Sequence, residues 1–183
     1  SPGDTVLYPM DDFEVRNGVE TAWVFFRSRR LMRVSSTGAS FYITNHLGTT
    51  STVIAADGSP INSSTYLPYG ALESEVRSVA NADPDYRFTG KERDDQTGLD
   101  YFGARYYAAN LGRWISPDPK QVFKPEAALA GGPYAYTAGN PVRLVDPDGR
   151  DFIVAVDVVN RVKEFRVPVL VLPSAEVGSS NAR

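Results

Sequence analysis

The chain of 183 residues contains no cysteine and only one histidine, His46. The lack of cysteine excludes a disulfide framework. With a single histidine as well, the chain offers too few nitrogen and sulfur ligands for zinc or a similar transition metal. We therefore predict a protein that holds no metal and uses no cofactor.

Basic clusters and long apolar runs are also missing. The formal net charge is −3 and the sequence pI is about 5.2, so nucleic acid is not an expected partner. No apolar run reaches the roughly 18 residues that predict a membrane-spanning helix. The chain starts at Ser1 without a signal-peptide pattern, which favours a piece of a larger polypeptide or a processed product.

Aromatic residues are concentrated between positions 86 and 149, which hold ten of the 21 in the chain. They alternate with glycine, proline and aspartate instead of following helical spacing. Each large ring buries about 150–250 Å², and the glycines and prolines turn the backbone every few residues. The segment predicts a compact knot of short strands and turns. The core-packing rings are expected to be Tyr106, Tyr107, Trp114, Tyr134 and Tyr136.

The N-terminal part of the chain predicts consecutive β-hairpins. Asn17-Gly18, a strong hairpin turn signal, separates the strand-like segments 13–16 and 19–26. Further strand pairs are predicted at 31–34 with 41–44 and at 51–55 with 64–69. The turns recur about every 20 residues, which favours stacked two-strand repeats. An ordinary β-meander in a closed sandwich is the alternative, and both belong to the all-β class.

Helical signals are few. Leu72, Val76 and Val79 form one apolar stripe, which predicts a helix over 71–82. A second short helix is predicted over 125–130, and Val-rich strands are predicted at 152–156 and 167–172.

A series of short motifs runs in order from Phe88 to Gly149. The motifs are Phe88-Thr89-Gly90-Lys91-Glu92, Thr97-Gly98-Leu99, Gly103-Ala104-Arg105-Tyr106-Tyr107, Leu111-Gly112-Arg113-Trp114, Ser116-Pro117-Asp118-Pro119, Asn140-Pro141 and Asp146-Pro147-Asp148-Gly149. This order resembles the RHS repeat-associated core domain. Upstream, 45–51 is similar to the strand-turn motif before that core, and 66–70 resembles a YD repeat.

The resemblance covers roughly residues 11–150 and implies a domain organisation. YD-repeat hairpins would occupy 1–70, a short helical connector 71–85, the core domain 86–150 and the start of a variable C-terminal segment 151–183. In such proteins the hairpins wind into a hollow β-shell, and the core curls inward as a plug at one end. The resemblance therefore implies these partners: the rest of the shell, a C-terminal toxin cargo, and secretion or toxin-complex machinery of a bacterial protein that is secreted or on the cell surface.

Many members of this family are also aspartic autoproteases that cut their own chain after the closing motif. The resemblance assigns Asp118 and Asp146 as the catalytic pair and Arg150–Asp151 as the bond that breaks. Two carboxylates placed close together cannot both ionise, so one can donate a proton while the other accepts one from water. Arg105 and Arg113 stand among aromatic residues, where we expect them to stack on rings or pair with the aspartates.

Three alternatives remain open. The first is that both aspartates are ordinary turn residues, an interpretation that fits the sequence equally well. Arg150 stands where family members that cut usually carry an apolar residue, and residues around 120–131 lengthen the spacing between the two motifs; both features favour a shell plug that never cuts. A cell-surface adhesion or carbohydrate-binding β-protein is the third alternative, because the repeats also occur in surface adhesion proteins.

Overall fold

The computed structural model describes residues 5–26, 28–78, 85–118 and 131–155. In these ranges the regular secondary structure is antiparallel β-sheet apart from short 3₁₀ turns, which confirms the predicted all-β class. Eight strands form one sheet in which each strand pairs with its neighbours in sequence. They are β1 (Val6–Met10), β2 (Phe13–Arg16), β3 (Val19–Phe26), β4 (Arg29–Ser35), β5 (Gly38–Thr44), β6 (Thr50–Ala55), β7 (Pro60–Tyr66) and β8 (Leu72–Arg77).

The hairpin between β2 and β3 confirms the Asn17-Gly18 prediction. Both turn residues have positive φ, 51° and 81°, as the tightest hairpin turns require. Arg16 and Val19 face each other directly across the turn. The hairpins predicted further along the chain are present as well, with strands that begin or end a few residues away from their predicted limits.

The helix predicted over 71–82 is wrong where the structure describes it, because Leu72–Arg77 is strand β8. It pairs with β7 from Tyr66 opposite Leu72 to Asn62 opposite Arg77. Pairing with a neighbouring strand outweighs the helical spacing of the apolar residues, and Val76 is 68% exposed, so the predicted stripe buries little. The helical connector at 71–85 is corrected accordingly. Residues 79–84, the helix predicted at 125–130 and the strand predicted at 167–172 lie outside the described residues.

A second, smaller group of strands follows the sheet. Four of its strands form one sheet in which each pairs with its neighbours in sequence, and two more form a hairpin. They are β9 (Glu92–Asp94), β10 (Leu99–Tyr101), β11 (Tyr106–Ala108), β12 (Arg113–Trp114), β13 (Leu144–Val145) and β14 (Ile153–Val154), with 3₁₀ turns at Phe88–Gly90 and Thr137–Gly139.

Aromatic rings fill the centre of this second group, which confirms the predicted knot. The aromatic cluster consists of Phe88, Phe102, Tyr107, Ala109, Trp114 and Tyr136. The expectation that Tyr106 and Tyr134 also pack in the core is wrong, because both are more than 40% exposed. Successive strand residues point to opposite faces, so Tyr107 of β11 lies inside while Tyr106 lies outside.

Close contacts join the sheet to the aromatic cluster. A Cβ atom on Gly70 would lie 2.3 Å from the ring of Phe88, so only glycine allows the turn between β7 and β8 to approach this ring. The Tyr107 hydroxyl donates a hydrogen bond to the Tyr69 carbonyl at 2.8 Å. The sheet thereby fixes the position of the strands that carry the candidate site.

A charged cluster forms a second junction between the sheet and the core domain. Arg16 of β2 lies 3.8 Å from Asp85 and 2.6 Å from Glu92 of β9, and 3.7 Å from Glu14. Burial raises the pKa of Asp85 to about 6, against the opposing effect of Arg16. The proton on Asp85 is therefore bound more tightly in the folded chain than in the unfolded chain.

This shift predicts a pH dependence of stability that runs opposite to acid denaturation. The contribution of Asp85 is fully present below pH ~4, where the carboxyl is protonated in both states, and is lost as pH rises through about 6. The free energy of unfolding of the wild type, relative to Asp85→Asn, should fall by roughly 1–3 kcal/mol over this window. Urea unfolding of both proteins across the window measures the difference, and a difference that does not change with pH would contradict the prediction.

Candidate active site at the exit from the core domain

The closing motif lies in a loop between two paired strands. Val145 of β13 faces Ile153 of β14, and Leu144 faces Val154. This pairing confirms part of the strand predicted at 152–156. The loop of residues 146–152 carries the Arg150–Asp151 peptide bond, and strand pairing on both sides limits how far this bond can move. Such restriction favours any reaction that needs a fixed geometry.

Asp146 begins this loop and is buried. Its Oδ1 atom accepts hydrogen bonds from the backbone N–H groups of Asp148 at 3.2 Å, Gly149 at 2.7 Å and Arg150 at 3.1 Å. Burial raises the pKa of Asp146, while these backbone donors and Arg105 act in the opposite direction. Asp146 therefore organises the loop and takes up a proton more readily than an exposed aspartate.

Asp118 is also buried, although 28 positions separate it from Asp146 in the sequence. Its backbone N–H donates to the Pro133 carbonyl at 2.8 Å, which anchors the end of the Ser-Pro-Asp segment. The carboxylates of Asp118 and Asp146 lie against the same guanidinium. Residues that are distant in sequence are thus brought to one point, as the resemblance implied.

Arg105 supplies this guanidinium, and it contacts both aspartates, the closing loop and an aromatic ring. Its Nη1 lies 3.2 Å from Asp118 Oδ2, and its Nη2 lies 3.2 Å from Asp146 Oδ2. Its Nε donates to the Gly149 carbonyl at 2.6 Å. The guanidinium carbon lies 4.1 Å from the ring centre of Trp114. The structure thus places Arg105 both against the aspartates and over an aromatic ring, as expected from its sequence context.

Arg113 does not take part in this arrangement, so its expected supporting role is wrong. It is exposed on β12, and the following residue, Trp114, points into the aromatic cluster. Alternation along the strand sends the two side chains to opposite faces. Sequence position among aromatic residues could not distinguish Arg113 from Arg105.

A small cavity lies beside the two carboxylates. Its volume is about 10 Å³, and its lining includes Arg105, Asp118, Asp146, Arg150 and Phe152. One water molecule needs roughly 10–15 Å³ and two or more polar partners. The cavity therefore has about the size and polarity that a single water requires, and Arg150, which precedes the expected cleavage point, borders it.

One contact of the loop was not foreseen from the sequence. Lys91 Nζ donates to the Pro147 carbonyl at 2.5 Å and lies 5.4 Å from the ring centre of Phe102. Lys91 belongs to the first motif of the core domain, and Pro147 belongs to the last. The presence of a lysine inside an aromatic motif was the only available signal, and it did not reveal the contact partner.

Comparison with known proteins identifies the architecture that carries this site. The family model of the Teneurin YD-shell matches residues 19–142, about two thirds of the chain. The chain belongs to the Teneurin YD-shell family. The resemblance to an RHS/YD-repeat shell protein is thereby confirmed.

Sequence relatives of this YD-shell chain include toxin components. Toxin subunit YenC2 of Yersinia entomophaga is 40% identical over 52% of this chain and 10% of its own length. Salivary gland surface protein 1 of Aedes aegypti is 33% identical over 74% of this chain and 3% of its own length. The chain thus spans a tenth or less of the length of these two relatives.

Solved structures support the same architecture. The crystal structure of TcdB2-TccC3 matches with a TM-score of 0.68 and 26% identity, over 80% of this chain and 8% of that one. The Photorhabdus luminescens Tc holotoxin pore matches with a TM-score of 0.68 and 25% identity, over 84% of this chain and 8% of that one. Within the described ranges of the YD-shell chain, no helix has the length and apolar character needed to cross a membrane.

Proposed function

We propose that this chain closes a YD-repeat shell that holds a C-terminal toxin, and that Asp118 and Asp146 hydrolyse the Arg150–Asp151 bond to free that cargo. Support for the shell comes from the family, from the eight-strand meander and from relatives that are toxin subunits. The partners are then the preceding repeats, the polypeptide after the cut and the machinery that exports or delivers the assembly. Such a protein would be secreted or exposed at the surface of a bacterium.

One observation carries the hydrolytic part of the proposal. Asp118 and Asp146 meet on one guanidinium, beside a water-sized cavity that Arg150 and Phe152 also line. The rarity of buried carboxylate pairs makes such a convergence informative, since each ion must be compensated. Strand pairing on both sides of the loop also limits how far the Arg150–Asp151 peptide bond can move, which supports the proposal.

The two carboxylates would have different roles. Asp118, ion-paired with Arg105, takes a proton from water as the water oxygen attacks the carbonyl carbon of Arg150. Asp146, whose pKa is raised by burial, gives a proton to the carbonyl oxygen. When the tetrahedral intermediate collapses, the C–N bond breaks, Asp118 gives its proton to the nitrogen of Asp151, and Asp146 regains a proton from a hydroxyl of the intermediate. The products are a carboxylate at Arg150 and an amine at Asp151.

A shell plug that does not cut is the second candidate, and one observation favours it. Asp146 Oδ1 already accepts three backbone hydrogen bonds, and Arg105 holds both carboxylates. Such an arrangement would hold the loop in place without any chemistry. The adhesion alternative has less support, because three of the five rings in question, Tyr107, Trp114 and Tyr136, are buried and unavailable to a sugar, and only Tyr106 and Tyr134 of the five reach the surface.

Two substitutions separate the cutting and non-cutting candidates. With a folded reporter fused after Arg183, the wild type should release a fragment that begins at Asp151. Asp118→Asn and Asp146→Asn should each slow this release by about a hundredfold or more, since an amide can neither accept the proton nor donate it in the same way. Gel analysis of the fusion over time measures the rate.

Asp100→Asn is the matched control for these variants. Asp100 is fully buried and forms a two-armed pair with Arg93 at 2.8 Å and 2.8 Å, away from the cavity. Its replacement disturbs a buried ion pair of the same domain without removing an acid from the site. Release of the reporter by folded Asp100→Asn at the wild-type rate is expected. An uncut wild-type fusion would establish the plug and refute the hydrolytic proposal.

A further inference from the structure

Three successive carbonyl groups of the closing loop are held by the core domain. The Pro147 carbonyl accepts from Lys91 Nζ at 2.5 Å, the Asp148 carbonyl from the Ala104 backbone N–H at 3.0 Å, and the Gly149 carbonyl from Arg105 Nε at 2.6 Å. Their donors come from two separate motifs of the core domain. The path of the loop is therefore fixed one residue at a time up to Gly149.

The N–H groups of the same loop are bound by side chains of the loop itself. Asp146 Oδ1 accepts from the N–H groups of residues 148, 149 and 150, and Asp148 Oδ1 accepts a second bond from Arg150 N–H at 3.1 Å. The last N–H that Asp146 reaches is that of Arg150. The Arg150–Asp151 peptide bond, which is the bond proposed to break, comes directly after this residue.

Glycine is strongly favoured at position 149 in this path. Its φ is +77°, and a Cβ atom there would lie 3.0 Å from the Arg105 backbone nitrogen and 3.2 Å from Phe102 Cβ. A side chain would therefore be strained by both conformation and space. The turn at Gly149 delivers residue 150 to the same place whatever side chain residue 150 carries.

Residue 150 has a bound backbone N–H group but an exposed side chain. Arg150 is exposed as a residue, although it borders the small cavity, while its N–H is bound twice. Among the residues that the structure describes, this exposed position does not require an apolar side chain. If main-chain hydrogen bonds set the position of the cut, an arginine can occupy position 150. Its guanidinium lies at the surface and stays hydrated.

We propose that the position of the cut is set by the main chain of the 146–150 loop and not by the side chain of residue 150, with Lys91 as a positioning residue that holds Pro147. This inference rests on the proposed self-cleavage. Lys91 touches neither of the atoms that react; it acts by fixing the loop that carries them. Partial burial lowers the pKa of Lys91, and its side chain lies near the Pro147 carbonyl and the ring of Phe102.

Substitutions at position 150 test the inference in the full reporter fusion. Arg150→Ala, Arg150→Leu and Arg150→Glu should all cut after residue 150, at rates within about threefold of the wild type. Mass spectrometry of the released fragment gives the position directly. A rate change above about tenfold in either direction, or a cut position that changes with the side chain, would overturn the inference. Either result would show that the side chain of residue 150 determines the cleavage.

Lys91→Met tests the positioning role, and Arg113→Met is its matched control because it removes an exposed cation. Loss of the Pro147 contact should slow the cut about tenfold and spread it over neighbouring bonds, since small misplacements reduce rates steeply. Lys91→Arg should restore a single position. A slower cut at an unchanged single position would indicate only a structural effect of Lys91 and would contradict the role.

Hydrogen exchange of the backbone amides keeps the inference testable if the wild type does not cut. In that case the hydrolytic proposal fails, while the amides of residues 148–150 still report on the loop. Their protection should remain within about threefold of the wild type in Arg150→Ala and fall at least about tenfold in Lys91→Met. Lost protection in Arg150→Ala would refute control by the main chain, independently of any cleavage.

Discussion

Replacement of Arg105 with alanine should lower the free energy of unfolding by about 3–5 kcal/mol, the cost of removing one member of a buried charged group. Arg105 supplies the positive charge that Asp118 and Asp146 both face, and it binds the Gly149 carbonyl. Without it, two acidic side chains stay buried close together and the loop loses a bond. Urea unfolding of the two proteins measures the difference, and reporter release should fall as well.

Arg113→Ala is the control for this prediction. Arg113 lies on β12 of the same core domain but is exposed, so its loss should change stability by no more than about 0.5 kcal/mol. Arg105→Lys should fall between the two, because lysine keeps the charge but cannot reach both carboxylates with one planar fork. Equal stability of Arg105→Ala and Arg113→Ala would mean that the Asp–Arg–Asp group does not hold the loop.

Tyr107→Ala should destabilise the chain by about 3–5 kcal/mol, the usual cost of deleting a large buried ring. Tyr107 has no exposed surface and contacts four rings of the aromatic cluster, with ring centres 4.6–5.7 Å away. Its hydroxyl also donates to the Tyr69 carbonyl at 2.8 Å. The substitution therefore opens a cavity and breaks a contact between the core domain and the sheet.

Neighbouring residues provide controls for Tyr107. Tyr106→Ala removes the same side chain from a position that is 45% exposed and should cost far less. Tyr107→Phe keeps the ring but leaves the Tyr69 carbonyl without this donor, which should cost about 1–2 kcal/mol. If Tyr106→Ala proved as damaging as Tyr107→Ala in urea unfolding, the packing centre would have to lie elsewhere.

Local signals were sufficient for the hairpins of the sheet. Asn17-Gly18 has a turn chemistry that few other structures accept, and the structure shows the two positive φ angles that such a turn requires. The same kind of local reasoning failed for 71–82. There a helical spacing of apolar residues coincides with a strand, because the segment pairs with the preceding strand β7, and the spacing of apolar residues within one segment does not show such pairing.

The candidate site was predictable only through the family. Asp118 and Asp146 looked like turn residues by themselves, and the resemblance alone suggested that they converge. Their common contact with Arg105 could be anticipated from its position among aromatic residues, yet the same argument selected Arg113 wrongly. The face of a two-residue strand on which a side chain lies depends on pairing with β11, and sequence position alone does not fix it.

The contacts of the closing loop were beyond any sequence pattern. Lys91 and Pro147 are 56 positions apart, and their bond joins a side chain to a backbone carbonyl. Backbone groups are identical at every position, so the sequence does not mark which of them a side chain will bind. For the same reason, the sequence does not show which three backbone N–H groups donate hydrogen bonds to Asp146.

The most direct test of the central claim is the mass of the cleavage products formed in heavy-oxygen water. Hydrolysis by Asp118 and Asp146 predicts a fragment that begins at Asp151 and a new carboxylate at Arg150 that carries one heavy oxygen, both absent from Asp146→Asn. An intact wild-type chain, unlabelled ends or the same products from Asp146→Asn would contradict the account.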